Sequence, residues 1–431
     1  MKRSTSKVEN IVDNKKTKEE DEPIENPATP DQTSTSEDKQ GASTENKASE
    51  PAVYQWKEIE EHNSFMYVYS SVETLVTDKK TYLFDMDNTI TKYDKKNPLA
   101  NPEFLYSTTK DTLQKLADNG DHIIICSNQG GVAAKKATLK EVKDKIEKFV
   151  KLFSFPIIVC IAPYNDYFRK PSPAMFLYVN KTYCNNTLTK ENALYVGDAA
   201  GRKNKKPKDF SSDDLCFALN CDIPFQTPEV FFNKDTSSIN VDVLNNTPEF
   251  NPKSLKDKTY DKSILTTMVT TTDPQEIVLI VGPPASGKST ISTTYFSTYD
   301  RINQDTYKTI KKCLSVARTS LTEGKSIIID NTNRDKNTRS QWIELAKEFK
   351  IPIRCLLMTL EKPICMHLSV FRTGNIWREE NRKVPDMIIH AFYKNMEKPT
   401  VQEGFKSVLS IPFIPGPFKC KEEENLFYCY L

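Results

Sequence analysis

Ile277-Val278-Leu279-Ile280-Val281-Gly282-Pro283-Pro284-Ala285-Ser286-Gly287-Lys288-Ser289-Thr290 is an apolar, β-branched run that passes straight into G-x-x-x-x-G-K-S. That order predicts a strand, a tight loop and a helix, the grammar of a phosphate-binding P-loop. Backbone N–H groups of such a loop face the phosphates, and the positive end of the following helix adds to the field. Gly282 and Gly287 allow the close turn, and Thr290 lies just behind them in the helix-like run. Lys288 is placed to reach the β- and γ-phosphates, and the Ser289 hydroxyl to hold Mg²⁺. A nucleoside triphosphate is the expected ligand; what receives its phosphate is decided elsewhere in the chain.

Working outward, 431 residues are enough for two domains of ordinary size, and 38% apolar residues are enough to give each a core. The net charge of +2 neither argues for nor excludes a nucleic-acid partner. No apolar run has transmembrane length, and no signal peptide is expected at the polar N-terminus. Ten cysteines without a C-x-x-C pair read as buried thiols in a reducing compartment. The four histidines are not spaced as a metal site, so metal and acid–base work falls to carboxylates. Only 12 glycines are present, and Gly130, Gly131, Gly197, Gly201, Gly282 and Gly287 all fall in candidate phosphate-handling loops.

In chain order, residues 1–55 are polar and charged and are expected to be disordered. Lys2-Arg3 and Lys15-Lys16 fit a nuclear-import signal as well as they fit plain solvated charge. An ordered domain is expected over 56–233, beginning with Phe65 to Tyr69 as an edge strand. Thr81 to Phe84 then forms a strand ending in Asp85-Met86-Asp87-Asn88-Thr89. Two carboxylates at the C-terminal end of a strand converge on the crevice where open α/β sheets bind ligands. Their mutual repulsion calls for a divalent cation. One can attack phosphorus while the other moves a proton.

The D-x-D-x-T signature resembles the haloacid dehalogenase superfamily of phosphohydrolases. The resemblance implies that Asp85 forms an aspartyl-phosphate, that Asp87 is the general acid and base, and that both belong to the Mg²⁺ site. Further pieces follow in the family's order. The run His122 to Cys126 ends in Ser127-Asn128-Gln129-Gly130-Gly131, where Ser127 and Asn128 suit a phosphate oxygen. Lys170 matches the lysine that neutralises phosphoryl charge, and Asp198 in Gly197-Asp198-Ala199-Ala200-Gly201-Arg202 completes the metal shell. Asn88 departs from the glycine often found there, and asparagine tolerates left-handed backbone.

The segments Gly197 to Arg202, Lys208-Asp209-Phe210-Ser211, Phe217-Ala218-Leu219-Asn220 and Pro224 to Glu229 sharpen the likeness to the polynucleotide kinase 3′-phosphatases. Arg202, Lys203, Lys205, Lys206 and Lys208 read either as solvated charge or as a grip on backbone phosphates. Residues 234–272, rich in Thr, Ser, Asn and Lys, are expected to be a linker before a P-loop kinase domain over 273–431. There Asp305 matches the base that activates a 5′-hydroxyl, although an N-cap is the plainer reading of an acidic residue before a helix. Asp330, after Ser326 to Ile329, matches the second acidic residue, which supports Mg²⁺ or the acceptor. His367 to Arg372 resembles the lid helix, with Arg372 clamping the transferring phosphate. Some relatives carry a second arginine where Val370 stands.

The fold expected is thus α/β, two doubly wound domains: a Rossmann-like haloacid dehalogenase phosphatase, then a P-loop kinase. The resemblance implies a nuclear, monomeric DNA end-healing enzyme that uses Mg²⁺ and takes its phosphate from ATP. It would remove 3′-phosphates and phosphorylate 5′-hydroxyls. An RNA end-healing enzyme, a small-metabolite kinase–phosphatase fusion and a non-catalytic binding module are the alternatives. The forkhead-associated domain of mammalian-type relatives is not expected in the polar sequence before residue 56.

Overall fold

Alternation decides both sheets. In the strand His122–Asn128, Ile124 and Cys126 enter one apolar cluster while Ile123 and Ile125 enter another. In Ile277–Val281, Val278 and Ile280 face one cluster, and Ile277, Leu279 and Val281 face its opposite. Strands buried on both faces read as continuous apolar runs and need helices above and below. The structure, a computed structural model, describes residues 53–76, 78–203, 208–234, 248–377 and 383–431. The expected tail through residue 52, with its lysine pairs, and Lys205 and Lys206 lie outside the described residues.

The first sheet has seven strands: β1 (Gln55–Glu61), β2 (Ser64–Ser70), β3 (Thr81–Phe84), β4 (His122–Asn128), β5 (Ile158–Ala162), β6 (Ala193–Val196) and β7 (Phe225–Gln226). Their spatial order is β1-β2-β5-β4-β3-β6-β7. β3 to β7 run parallel, and β1 and β2 add an antiparallel hairpin. His62 and Asn63 turn that hairpin with φ of 53° and 56°, the left-handed pair that a two-residue loop demands. The edge strand is therefore β1, not the Phe65 to Tyr69 run, which β1 covers on one side and β5 on the other. The reason is that Gln55–Glu61 pairs with β2 along all seven residues despite its mostly polar, non-alternating composition. Helices α1 (Thr109–Asp118), α2 (Leu139–Val150), α3 (Ala174–Tyr183), α4 (Asp213–Cys221) and α5 (Pro228–Asn233) fill the connections. The chain winds outward from β3 to β5 and returns to β6 on the other side. The resulting crevice lies at the C-terminal ends of β3 and β6, where such sheets bind ligands.

The second sheet is parallel throughout, in the order β12-β11-β8-β10-β9. Its strands are β8 (Ile277–Val281), β9 (Asp300–Ile302), β10 (Ile327–Ile329), β11 (Ile353–Thr359) and β12 (Ser407–Pro412). Its helices are α6 (Ser263–Val269), α7 (Lys288–Tyr295), α8 (Gln304–Tyr307), α9 (Ile310–Thr322), α10 (Lys336–Phe349), α11 (Lys362–Gly374), α12 (Asp386–Asn395) and α13 (Lys421–Phe427). The α/β, doubly wound expectation is met by both sheets. The described part of the expected linker packs tightly: Leu255 and Met268, on α6, are buried in the second unit's core. No helix among the described residues is long and apolar enough to cross a membrane.

Candidate active sites

At the first crevice, Asp85 follows β3 and Asp198 follows β6. Lys170, beyond β5, is buried and donates from Nζ to Asp85 Oδ1 at 2.7 Å, to Asp214 Oδ1 at 2.7 Å and to the Tyr195 hydroxyl at 2.8 Å. One ligand atom from each of Asp85, Asp198 and Asp214 lies within 4.8 Å of the others. Asp214, on α4, is a partner the sequence did not single out. Its second oxygen accepts the Ala199 N–H at 3.0 Å and so ties α4 to the loop after β6. Gly197 has to be a glycine, since a Cβ there would collide with the Asp214 carboxylate.

Burial raises the Asp85 carboxyl from 3.8 to about 7, aided by Asp214 and Asp87 and opposed by Lys170. Burial, then the charges of Asp85 and Asp214, raises Asp198 to about 8. Burial pulls the Lys170 ammonium down, but Asp214 and Asp85 outweigh it and hold the group charged above the usual lysine range. Three oxygen donors with excess negative charge suit a hard divalent cation such as Mg²⁺. The two raised carboxyls bind protons more tightly in the folded than in the unfolded chain. Their stabilising contribution is complete below the ordinary value of 3.8 and is lost as pH rises through about 7 to 8. A cation at these oxygens must displace the remaining protons. Added Mg²⁺ is therefore expected to raise Tm more at about pH 8 than at about pH 6. Thermal denaturation with chelator and with Mg²⁺ at both pH values checks this; an equal increment contradicts it.

Asp87 points elsewhere. Its carboxylate meets Lys145 Nζ at 2.9 Å and Gln129 Nε2 at 3.1 Å, and the same Gln129 amide donates to Ser127 Oγ at 2.9 Å. Asp87 is thus held beside the phosphate-loop serine but outside the three-carboxylate cluster. Lys145 was legible only as a charge on the apolar face of α2, among Val142, Ile146 and Phe149. Asn128 also braces Lys170: its amide donates to the Lys170 carbonyl and accepts the Lys170 N–H, at 3.0 and 2.9 Å. That side chain positions the lysine and spends one of its two amide N–H groups doing so. Asn88 takes φ of 60°, the left-handed geometry anticipated for it. Arg202 is buried in ion pairs with Asp209 at 2.7 Å and Glu229 at 3.1 Å, so it braces the loop instead of offering a free cation to a backbone. Lys203 and Lys208 are exposed.

At the second crevice, β8 runs into the loop Gly282 to Gly287, and Gly287 caps α7 with φ of 87°. Lys288 is buried, donates to the Pro283 carbonyl at 2.6 Å, and is lowered to about 8 by burial against the attraction of Asp330. Asp330 follows β10. Arg301 Nε donates to its Oδ2 at 2.8 Å, and Arg301 Nη2 donates to Ser289 Oγ at 3.1 Å, so the arginine brings the hydroxyl and the carboxylate together. Asp330 Oδ1 is buried without a hydrogen-bond partner among the described residues. A hydroxyl and a carboxylate with a spare oxygen fit Mg²⁺. Arg301 carried no signal in the sequence.

Asp305 lies on the single-turn α8 and is exposed. The N-cap is Asn303, whose side chain accepts the Asp305 N–H at 2.8 Å, so the carboxylate of Asp305 is not spent on capping. Asn303 also donates to the Asp330 carbonyl at 2.6 Å, which joins the ends of β9 and β10. Arg372 and the P-loop residues Gly287, Lys288, Ser289 and Thr290 line one cleft of about 340 Å³. Phe413, Phe418 and Phe427 give that cleft an apolar side suited to a nucleobase.

A family profile described as polynucleotide kinase 3 phosphatase matches residues 80–232, and one described as AAA domain matches 307–399, beyond the P-loop itself. A protein of Schizosaccharomyces pombe named bifunctional polynucleotide phosphatase/kinase is 34% identical over 78% of this chain and 80% of its own length. A relative from Acanthamoeba polyphaga mimivirus, provisionally given the same description, is 29% identical over 77% of this chain and 84% of its own. Among solved structures, the D,D-heptose 1,7-bisphosphate phosphatase of B. bronchiseptica covers 34% of this chain and 78% of its own, at 16% identity and a TM-score of 0.27.

Proposed function

This chain belongs to the bifunctional polynucleotide phosphatase/kinase family, and we propose that it heals DNA ends in strand-break repair, removing 3′-phosphates at the first crevice and phosphorylating 5′-hydroxyls at the second. The observation that carries the first half is the Lys170 ammonium held between Asp85 and Asp214 at a strand end, with Asp87 braced nearby. An Asp85 oxygen attacks phosphorus, the bond to the 3′-oxygen breaks, and Asp87 gives that oxygen its proton. Water then attacks the aspartyl-phosphate, Asp87 takes the water's proton, and inorganic phosphate leaves Asp85 as a carboxylate. Lys170 neutralises charge on the phosphoryl oxygens throughout. Mg²⁺ held by Asp85 and Asp198 would add further charge neutralisation.

At the second crevice the loop amides and Lys288 hold the phosphates of ATP, and Ser289 and Asp330 are the residues that would hold Mg²⁺. Asp305 takes the proton of the 5′-hydroxyl as its oxygen attacks the γ-phosphorus and the bond to ADP breaks. Arg372, on the wall of the same cleft, steadies the transferring group. A DNA substrate is consistent with a nuclear location.

Substrate class is tested by offering a 3′-phosphorylated DNA oligonucleotide, its RNA counterpart and a nucleoside 3′-monophosphate, and the matching 5′-hydroxyl acceptors. The DNA ends are expected to turn over with the highest kcat/KM in both reactions. Faster turnover of RNA, or of the mononucleotides, replaces DNA by that class.

A further inference from the structure

One side chain makes hydrogen bonds on both sides, toward each crevice. Asn220, at the end of α4, donates from Nδ2 to the Pro171 carbonyl at 2.8 Å and to the Tyr430 carbonyl at 2.8 Å, while its Oδ1 accepts the Tyr430 N–H at 2.8 Å. Only one orientation of the amide satisfies all three bonds. Pro171 directly follows Lys170, the lysine between Asp85 and Asp214. Tyr430 lies three residues beyond Phe427, which closes α13 and lines the nucleotide cleft.

Phe427 is itself tied to the helix that carries Arg372. Burial lowers His367 to about 4, so its ring is neutral, and Nε2 donates to the Phe427 carbonyl at 2.7 Å. The Phe427 ring meets Phe371 edge-on at 5.3 Å and packs against Phe418 at 5.2 Å, and both of these also line the cleft. A contiguous set of packed rings and hydrogen bonds therefore runs from the wall of the ATP cleft to Pro171, the residue after the phosphatase lysine. A second contact between the two halves, Lys253 Nζ to the Leu219 carbonyl at 2.6 Å, meets α4 at the residue just before Asn220.

We propose that Asn220 is a positioning residue for Lys170 that couples the two sites: nucleotide in the kinase cleft orders Phe427 to Tyr430, and Asn220 passes that order to the Pro171 backbone and so to Lys170. The sign is positive. Ordering that the nucleotide has already imposed need not be imposed again when the 3′-phosphate binds. The inference rests on the two-site reading above.

The test uses the full chain and an oligonucleotide bearing phosphate at both its 3′ and 5′ ends, so that no kinase acceptor is present. Phosphate release is measured at fixed free Mg²⁺ with and without saturating β,γ-imido-ATP. In the wild type the nucleotide is expected to raise kcat/KM for the 3′-phosphate by about fivefold, the low end of common couplings. Asn220→Asp keeps the acceptor for the Tyr430 N–H and loses both donated bonds. It is expected to bind β,γ-imido-ATP with unchanged affinity by calorimetry, which reports an intact fold, and to show no response of phosphate release to it. Release that is brisk but indifferent to nucleotide in the wild type overturns the coupling and leaves the two-site reading standing. A response retained in Asn220→Asp overturns the role of Asn220. Failure to release 3′-phosphate under any condition removes the two-site reading and this inference with it.

Discussion

Asp85→Asn is expected to abolish 3′-phosphate release, by on the order of 10⁴-fold or more in kcat, and to leave 5′-phosphorylation unchanged. The substitution preserves the shape of the side chain and removes only the nucleophilic oxygen and its charge. Lys170 keeps Asp214 at 2.7 Å and the Tyr195 hydroxyl at 2.8 Å, so the buried ammonium is not stranded. That matters, because an uncompensated buried charge would cost about 3–5 kcal/mol and blur a catalytic loss with an unfolding one. Asp85 sits at the end of β3, in a different sheet from the P-loop strand, so the kinase cleft keeps its walls. Phosphate release and transfer of labelled γ-phosphate, measured on the same preparation, check both halves. Residual release within tenfold of the wild type would mean that Asp85 is not the attacking group.

The mirror-image expectation holds for Lys288→Ala: a loss of about 10²–10³-fold or more in 5′-phosphorylation, the scale of removing one preorganised charge at a developing anion, with 3′-phosphate release in the absence of nucleotide unaffected. Lys288 is buried beneath the loop and donates to the Pro283 carbonyl, so its head group is fixed before ATP arrives. Burial without a full counter-charge already lowers it to about 8, and phosphates supply the missing negative partner. Alanine removes the ammonium that the phosphates would meet, without adding bulk to the cleft. Steady-state kinetics with labelled ATP and a 5′-hydroxyl oligonucleotide measure the loss. Near-normal transfer would move the phosphate-holding role to Arg301 or Arg372.

Much of this was legible because chemistry-bearing residues sit at the ends of apolar strands. β3 delivers Asp85, β6 delivers Asp198, β8 delivers the P-loop and β10 delivers Asp330, and a parallel sheet gathers such ends on one edge without further instruction. Residues that lie on helices were not legible in the same way. Asp214 looked like an ordinary acid in a helix's first turn, and only the packing of α4 under the β6 loop brings it to Lys170. Lys145 was visible as a charge in an apolar stripe, but its partner, Asp87, is 58 residues away in sequence. Arg202 misled for the converse reason: a basic run looks solvated until Asp209 and Glu229 fold back onto its first member. The edge-strand error came from judging a strand by its apolar content, although β1 pairs residue for residue with β2 while showing mostly polar side chains to water.

One chain is expected to carry two separable chemistries, one for each terminus of a nucleic-acid break. The most direct measurement takes a nicked DNA duplex with a 3′-phosphate and a 5′-hydroxyl at the nick, adds ATP and Mg²⁺, and resolves both termini. The wild type is expected to yield 3′-hydroxyl and 5′-phosphate. Asp85→Asn is expected to convert only the 5′ end and Lys288→Ala only the 3′ end, and the two variants mixed should restore both. Conversion of neither end by the wild type, or loss of both conversions in either folded variant, contradicts the account.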